Sequence, residues 1–203
     1  MKPKKIPMLR YYQVFNVKND TNLDIKKHKE MMQTFDTAPV EEIDGIIKAY
    51  ADRCKVKLVT VKGTDSAYYS PTEHEVHLPS VEQFKSVAEY YSTAFHELVH
   101  STGHKSLLNR FEKGSTRFGS DVYSKEELVA EIGTACILHR LGIETDDSFK
   151  NSTAYIQNWV KQLKEDKKMI VSASSKAEKA VQLIFGEVET NEADATEMVA
   201  SVA

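Results

Sequence analysis

The pentapeptide HELVH, at residues 96–100, restricts this chain more than any other feature of its sequence. It lies in a segment, residues 80–102, whose apolar residues recur at the three- and four-residue spacing of an amphipathic helix. Positions four apart face the same way on a helix, so His96 and His100 could present their imidazoles to one metal ion. Glu97 would project beside that ion and could take a proton from a water. The segment therefore predicts a helix that carries a hydrolytic zinc site.

A catalytic zinc ion commonly has three protein ligands and a water, so HELVH needs a third ligand from elsewhere in the chain. The segment EELVAE, residues 126–131, offers three glutamates. Glu127 and Glu131 share a helix face, whereas Glu126 is turned about 100° away and is expected to face solvent. Helix geometry does not decide which of Glu127 and Glu131 would bind the metal and which would support a histidine. Either could also be an ordinary surface acid.

Three further side chains lie where they could reach a substrate. His104 follows His100 by four residues, but Gly103 predicts that the helix has ended by then. His104 is therefore expected on the substrate side of the site or as a loop contact. Tyr123 and Arg117 lie just before the glutamate helix, where a loop could turn them toward a developing oxyanion. Ordinary loop roles explain them equally well.

The rest of the sequence alternates between helical and strand-like periods. Helical spacing predicts helices at residues 39–54 and 80–102, from Ser124 to Leu138, and twice within 147–185. Alternating polar and apolar side chains predict short strands at residues 55–61, 67–70 and 74–78. The start at Ser124 depends on a capping-box pattern with Glu127. Short strands between helices predict an α+β domain with a small sheet.

The predicted strand at residues 74–78 reads HEVHL and directly precedes the HELVH helix. We expect it to form a sheet edge beside that helix. A sheet edge can accept an extended peptide as an additional strand, and this would make the substrate a polypeptide.

Length and composition are those of one globular domain with flanking segments. The chain has 203 residues, of which 41% are hydrophobic and 28% are charged. We expect an N-terminal arm at residues 1–38, a folded domain at 39–186 and an acidic, disordered tail at 187–203. Cys54 and Cys136 lie in apolar patterns without a CxxC neighbour, so both are expected to be buried thiols.

Charge and hydropathy argue against several classes of protein. The net charge of -3 gives no indication of binding to nucleic acid or to a membrane surface. No stretch approaches the roughly 18 apolar residues of a membrane span, and the basic first ten residues lack the apolar stretch of a secretory signal. A cytoplasmic protein with no membrane partner is expected, and nothing in the sequence indicates its oligomeric state.

Three segments, taken together and in order, resemble the C-terminal metallopeptidase-like domain of ArdC-type antirestriction proteins, which are encoded on plasmids, phages and other mobile elements. These segments are residues 66–84, 90–104 and 118–133. Residues 10–17 resemble the segment that follows the single-stranded-DNA-binding domain of that family. The likeness covers about residues 7–142, and this chain begins where that DNA-binding domain should end. Binding of single-stranded DNA is therefore not carried over.

The resemblance implies a zincin-like fold, in which a small mixed or antiparallel sheet packs on the HExxH helix and on further helices. It also implies a metal site at His96, His100 and a glutamate of EELVAE. The pattern ExxAE is similar to the ExxAD of other HExxH proteases of the gluzincin type, where the first acid binds zinc and the last supports it. By this resemblance, Glu127 is the third ligand and Glu131 supports a histidine.

The sequence therefore predicts a zinc-dependent, metallopeptidase-like protein of a mobile element that cleaves a peptide bond in a polypeptide or host protein. We expect one zinc ion per chain, although imidazole and carboxylate ligands also accept other divalent metals. An alternative is a non-catalytic, metal-stabilised binding module that blocks a host defence protein. A third interpretation, a single-stranded-DNA-binding accessory protein, depends on basic and aromatic residues within residues 2–15, for which a solvated linker is the commoner explanation.

Overall fold

The computed structural model describes residues 34–111, 121–143 and 168–187, with side chains from residue 125 onward in the second range. The helices in these ranges are α1 (Glu41–Cys54), α2 (Val87–Ser101), α3 (Asp121–Leu141) and α4 (Lys168–Phe185). The strands are β1 (Lys57–Val61), β2 (Tyr68–Ser70) and β3 (Glu75–Pro79), and a 3-10 turn at Val81–Gln83 precedes α2. The predicted α+β class is therefore confirmed.

Several predicted segments lie outside the described residues. These are most of the N-terminal arm, including its basic and aromatic residues, Arg117, nearly all of the acidic tail and the first of the two helices expected within residues 147–185. None of the described helices is long and apolar enough to cross a membrane.

The three described strands form one mixed sheet in the order β1-β3-β2. β3 pairs with β1 in parallel, with Val59 opposite His77, and with β2 in antiparallel, with Tyr68 opposite His77. The HEVHL segment is therefore the central strand, and the expectation that it forms a sheet edge is wrong. Val76 and Leu78 of this strand are buried against the helices, as expected for a strand that is covered on one face and paired on both sides. In the described part of the sheet, β1 and β2 are the edges.

The helix that carries HELVH begins at Val87, not at Ser80 as the apolar spacing predicted. The side chain of Ser86 accepts a hydrogen bond from the backbone N–H of Glu89, and this N-cap fixes the start of α2. The preceding residues form the 3-10 turn instead, and Gln83 there donates a side-chain hydrogen bond to the carbonyl of Thr64. The apolar spacing of the sequence does not reveal a tertiary contact of this kind.

α3 begins at Asp121, three residues before the predicted start, so the capping-box interpretation is also wrong. Ser124 lies inside the first turns of the helix. Glu127 does not cap a helix terminus because its carboxylate is buried and lies against His96 and His100.

The two cysteines differ in exposure. Cys54 at the end of α1 is buried, as predicted, whereas Cys136 on α3 is exposed. The prediction of a buried thiol is therefore wrong for Cys136. The face of α3 that packs on its neighbours carries Ala130, Ile137 and Leu138, and Cys136 lies outside it.

Helix α1 fixes both ends of α2. At the first end, the hydroxyl of Tyr91 accepts a hydrogen bond from the backbone N–H of Val40 and donates one to the carboxylate of Asp44, at 2.7 and 2.8 Å. At the other end, the hydroxyls of Tyr50 and Ser101 lie 2.7 Å apart and share a buried hydrogen bond. Because both tyrosines are fully buried, these bonds hold α2 firmly in the core.

The helical core also brings α2 and α3 into close contact. Its largest buried side chains are Tyr50, Tyr91, Phe95, Leu98, Leu128 and Ile137. A Cβ atom placed on Gly133 of α3 would lie only 3.0 Å from Cγ2 of Val99 and 3.1 Å from its Cγ1. Gly133 therefore lets α3 approach α2 more closely than any other residue would. This approach sets the distance between the histidines of α2 and the glutamates of α3.

We expect Gly133→Ala to lower the free energy of unfolding by roughly 1–3 kcal/mol, because an added methyl overpacks a filled interior. The better helix propensity of alanine would offset less than about 1 kcal/mol of this loss. Urea denaturation of the purified protein measures the change.

The matched control is Val99→Ala, alone and combined with Gly133→Ala. Val99→Ala alone should be destabilising because it leaves a cavity. The double variant should be more stable than the sum of the two single losses predicts, since each change makes room for the other. Strictly additive losses would contradict direct contact between these residues.

Candidate metal centre

Two turns of α2 and one turn of α3 bring three potential ligands together. His96 and His100 lie one helical turn apart on α2, and their Nε2 atoms are 3.2 Å apart. Glu127 of α3 places Oε2 at 3.6 Å from His96 Nε2 and Oε1 at 3.4 Å from His100 Nε2. The ligand atoms of all three residues lie within 4.8 Å of one another.

These separations fit a divalent cation. A tetrahedral zinc ion with bonds of about 2.0–2.1 Å keeps its ligand atoms roughly 3.3 Å apart. The 3.2 Å between the two Nε2 atoms, and the 3.4 and 3.6 Å from them to one or the other oxygen of Glu127, are close to that value. Two imidazoles and one carboxylate are also a ligand set that zinc and several neighbouring metals accept. The donor set and its geometry therefore both suit one metal ion.

The second nitrogen of each histidine faces another glutamate of α3. His96 Nδ1 lies 3.5 Å from Glu131 Oε1, and His100 Nδ1 lies 3.7 Å from Glu126 Oε1. Carboxylates in this position commonly fix the tautomer and ring orientation of metal-binding histidines. The structure thus places Glu131 where a supporting acid is expected, and it adds Glu126 on the other histidine.

The expectation that Glu126 faces solvent is wrong. Only 13% of its side chain is exposed, and its carboxylate lies between His100 and the guanidinium of Arg110. Glu126 and Glu127 point in different directions from α3, but neighbouring parts of the protein cover both side chains. α2 covers Glu127, and the loop that follows α2 returns to cover Glu126.

Arg110 is a residue of this site that the sequence interpretation did not single out. Its side chain is only 4% exposed and donates to both carboxylate oxygens of Glu126. It also donates to the hydroxyl of Thr102 and to the carbonyl of Val99 at the end of α2. No local signal identifies it, because an arginine in a polar loop is usually solvated.

Glu97 lies on α2 beside the three-residue cluster and toward the sheet. The backbone of Tyr69 in β2 lies near its carboxylate, and β2 packs against this helix. Burial raises the pKa of Glu97 above its ordinary value, and the nearby His100 and His96 oppose this shift. The acid that follows the first histidine is thus half-buried at the edge of the sheet, next to the candidate ligands.

The acidic and basic groups of the cluster stabilise one another's charged forms. Burial by itself would raise the pKa of Glu127, but hydrogen bonds from His100 and His96 outweigh it and hold the pKa well below its usual range. Burial would likewise lower the pKa of His100, but Glu126 and Glu127 raise it to about 9. The pKa of Glu127 is thus lowered and that of His100 raised by the same contacts between them.

His104 is not part of the three-ligand group. Its ring stacks on His74, with centroids 4.0 Å apart, and its Nδ1 lies 2.7 Å from the hydroxyl of Ser106. Tyr123 belongs to the first turn of α3, but its side chain is not among those described, so its role stays a prediction.

A second group of possible ligands lies on the outer side of the sheet. Glu73, Glu75 and His77 have ligand atoms close together there, and Glu75 also forms an ion pair with Lys57. Glu73 is exposed, and solvated acids often gather without an ion. The group around His96 is therefore the stronger candidate.

We expect elemental analysis of protein purified without chelators to give about one divalent metal ion per chain. His96→Ala should lose most of that metal, because two remaining protein ligands bind a divalent ion much more weakly. His77→Ala is the matched control, since it removes a histidine from the outer group and should leave the metal content unchanged. Full metal content in His96→Ala would contradict the assignment.

Comparison with known families assigns the chain to a class of proteins. The model of the zincin-like metallopeptidase family MPTase-PolyVal matches residues 47–176, a range that contains both HELVH and EELVAE. The chain therefore belongs to the zincin-like metallopeptidase family. The zincin-like fold that the resemblance implied is confirmed.

Among solved structures, the chain is similar to the antirestriction protein ArdC of the R388 plasmid. The Mn(II)-bound crystal structure of ArdC has a TM-score of 0.59 and 38% identity, over 73% of this chain and 54% of ArdC. The metal-free crystal structure has a TM-score of 0.57 and 37% identity, over 89% of this chain and 61% of ArdC. The resemblance to ArdC-type proteins is confirmed, and one of the two structures of this relative holds Mn(II).

Curated relatives are much longer proteins. Two sequences named DNA primase TraC, from Escherichia coli, are 42% identical over 121 residues and 38% identical over 140 residues. These matches cover 60% and 69% of this chain but only 11% and 9% of the TraC proteins. An uncharacterized protein of Sinorhizobium fredii, y4eC, is 34% identical over 116 residues, which are 57% of this chain and 37% of y4eC. The chain thus spans about a tenth of the TraC proteins.

Proposed function

We propose that this protein is a metal-dependent peptidase that binds one zinc ion through His96, His100 and Glu127. Glu97 acts as the general base, and Glu131 and Glu126 support the two histidines. The observation that carries the proposal is the convergence of two Nε2 atoms and one carboxylate at separations of 3.2 to 3.6 Å. Zinc is proposed as the native ion because this ligand set is common in catalytic zinc sites, although manganese also suits it.

A divalent ion held by these residues would supply Lewis acidity, lowering the pKa of a water and polarising a substrate carbonyl. The protein contributes the groups around it. Glu97 is one residue beyond the first ligand and close enough to His96, His100 and Glu127 to interact with their charges, so it could accept the proton of a water bound at the site. Its side chain is half-buried, with the backbone of Tyr69 nearby.

The position of β2 supports a polypeptide substrate. β2 is an edge of the described sheet and packs against α2, where the backbone of Tyr69 lies near Glu97. An extended peptide that added alongside β2 would pass next to the candidate ligands, with backbone hydrogen bonds providing affinity. This role was expected of β3, but β3 is the central strand and has no free edge for a peptide.

The relatives favour a role in the transfer of mobile DNA. One solved relative is an antirestriction protein of a plasmid, and two sequence relatives are named DNA primase TraC. We propose that the polypeptide cleaved here is a host protein that mobile DNA meets on entering a cell.

We expect Glu97→Gln to keep its metal and to lose peptide hydrolysis by at least about 100-fold, as for removal of a general base. Mass spectrometry of a mixed peptide library, incubated with the zinc-loaded protein, measures the cleavage. Glu89→Gln is the matched control, because Glu89 is exposed on the same helix and far from the ligands. Unchanged cleavage by Glu97→Gln would rule out the proposed mechanism.

A second candidate function is a metal-stabilised module that blocks a host defence protein without cleaving it. The description of one solved relative favours it, since ArdC is an antirestriction protein and blocking a defence protein needs no turnover. A plasmid-transfer assay into a restricting host separates the two functions. Protection that survives Glu97→Gln but is lost in His96→Ala would favour the module, whereas loss of protection in both variants would favour hydrolysis.

A further inference from the structure

We propose that Arg110 is a positioning residue of the metal centre, which acts by holding Glu126 against the Nδ1 atom of His100. The inference rests on the proposed metal site and extends it to a residue outside both helices that carry the ligands. Arg110 lies in the loop that follows α2, which continues past the end of that helix and returns toward α3.

The contact between Arg110 and Glu126 has the geometry of a specific ion pair. Nη2 of Arg110 donates to Oε1 of Glu126 at 2.6 Å, and Nε donates to Oε2 at 3.1 Å. Two parallel hydrogen bonds from one planar guanidinium fix both the distance and the rotation of the carboxylate. Because Oε1 also lies 3.7 Å from His100 Nδ1, the rotation of this carboxylate determines how it faces the histidine.

The other side of the guanidinium is bonded to the end of α2. Nη1 donates to the hydroxyl of Thr102 at 2.6 Å, and Nη2 donates to the carbonyl of Val99 at 2.8 Å. The Val99 carbonyl lies in the last turn of the helix, where carbonyl groups lack full intrahelical pairing and cations are favoured. Arg110 therefore joins the helix that carries the histidines to the glutamate that supports one of them.

Arg110 also offsets negative charge. The histidines are surrounded by the carboxylates of Glu97, Glu126, Glu127 and Glu131. Without the guanidinium, Glu126 would be a half-buried carboxylate with His100 as its remaining neighbour of opposite charge, and it would be free to turn toward solvent. His100 would then lose the acceptor that orients its ring.

The positive charge of Arg110 and its hold on Glu126 are expected to change metal affinity in opposite directions, so the variants must distinguish the two effects. Removing a positive charge near a metal ion favours the ion, whereas releasing Glu126 disfavours it. Arg110→Lys keeps the charge and removes the bidentate geometry, so it tests position alone. Glu126→Gln removes the carboxylate on which Arg110 is proposed to act.

The experiment measures the Zn²⁺ dissociation constant of the full chain by competition with a chromophoric chelator. It compares the wild type with Arg110→Lys, Glu126→Gln and the double variant, all at a temperature where circular dichroism shows the folded state. Each single variant should bind Zn²⁺ roughly 10- to 100-fold more weakly, the usual effect of losing a partner of a metal-binding histidine. The double variant should bind no more weakly than Glu126→Gln, because Arg110 acts through Glu126.

Thr102→Val is the matched control for a purely structural role. It removes a bond from Arg110 to α2 but leaves Glu126 untouched. Its melting temperature should fall, because the hydroxyl bonds to Arg110 and to the Val99 carbonyl are both lost. Its Zn²⁺ affinity should stay within about threefold of the wild type, since the bidentate pair of Arg110 with Glu126 remains.

The outcomes distinguish the inference from the proposed function. Wild-type Zn²⁺ affinity in Arg110→Lys would overturn the inference, and so would losses that multiply in the double variant. A wild-type chain that binds no Zn²⁺ would overturn the metal site itself, and the inference with it. If Glu126→Gln and the double variant bind Zn²⁺ with the same affinity, the positioning role is supported. This holds even where Arg110→Lys alone lowers the stability of the protein.

Discussion

The close packing of α2 against α3 is the constraint on which the rest of the structure depends. Val99 packs against Gly133 at this contact, and the ligand atoms of the two helices converge within 4.8 Å. The buried tyrosines of α1 and α2 fix the direction of the histidine helix. A candidate metal centre arises here because this packing brings the charged side chains of the two helices together.

That layer brings several carboxylates together in a place with little water, which is unfavourable unless opposite charges accompany them. The imidazoles and the guanidinium of Arg110 provide part of that charge, and a divalent ion would provide the rest. Folding and cation binding are therefore expected to be coupled, because each reduces the electrostatic penalty of the other. In this site, the contacts between histidines and glutamates both orient the imidazoles and stabilise the carboxylates.

The sequence predicted those features that local periodicity or a short motif controls. The α+β class followed from the alternation of helical and strand-like spacing, and the positions of His96 and His100 followed from helix geometry. Glu127 could be preferred to Glu131 only through resemblance to known proteases, since both share one face. Arg110 and the burial of Glu126 were missed because they depend on a loop that returns across 16 positions of the chain. Helical periodicity predicts which way a side chain points from its helix, but it does not predict which other residues will cover that side chain.

The candidate ligands and their supporting acids all lie within residues 96–131, on two helices that are neighbours in both sequence and space. The ligands and supporting acids are therefore inherited as one short piece of polypeptide. Their geometry also depends on packing partners such as Gly133 and Tyr50, so the unit that recombination can move intact is the folded domain rather than the two helices alone. The occurrence of similar segments in proteins as different in length as TraC, y4eC and ArdC is what a portable unit of this kind would produce.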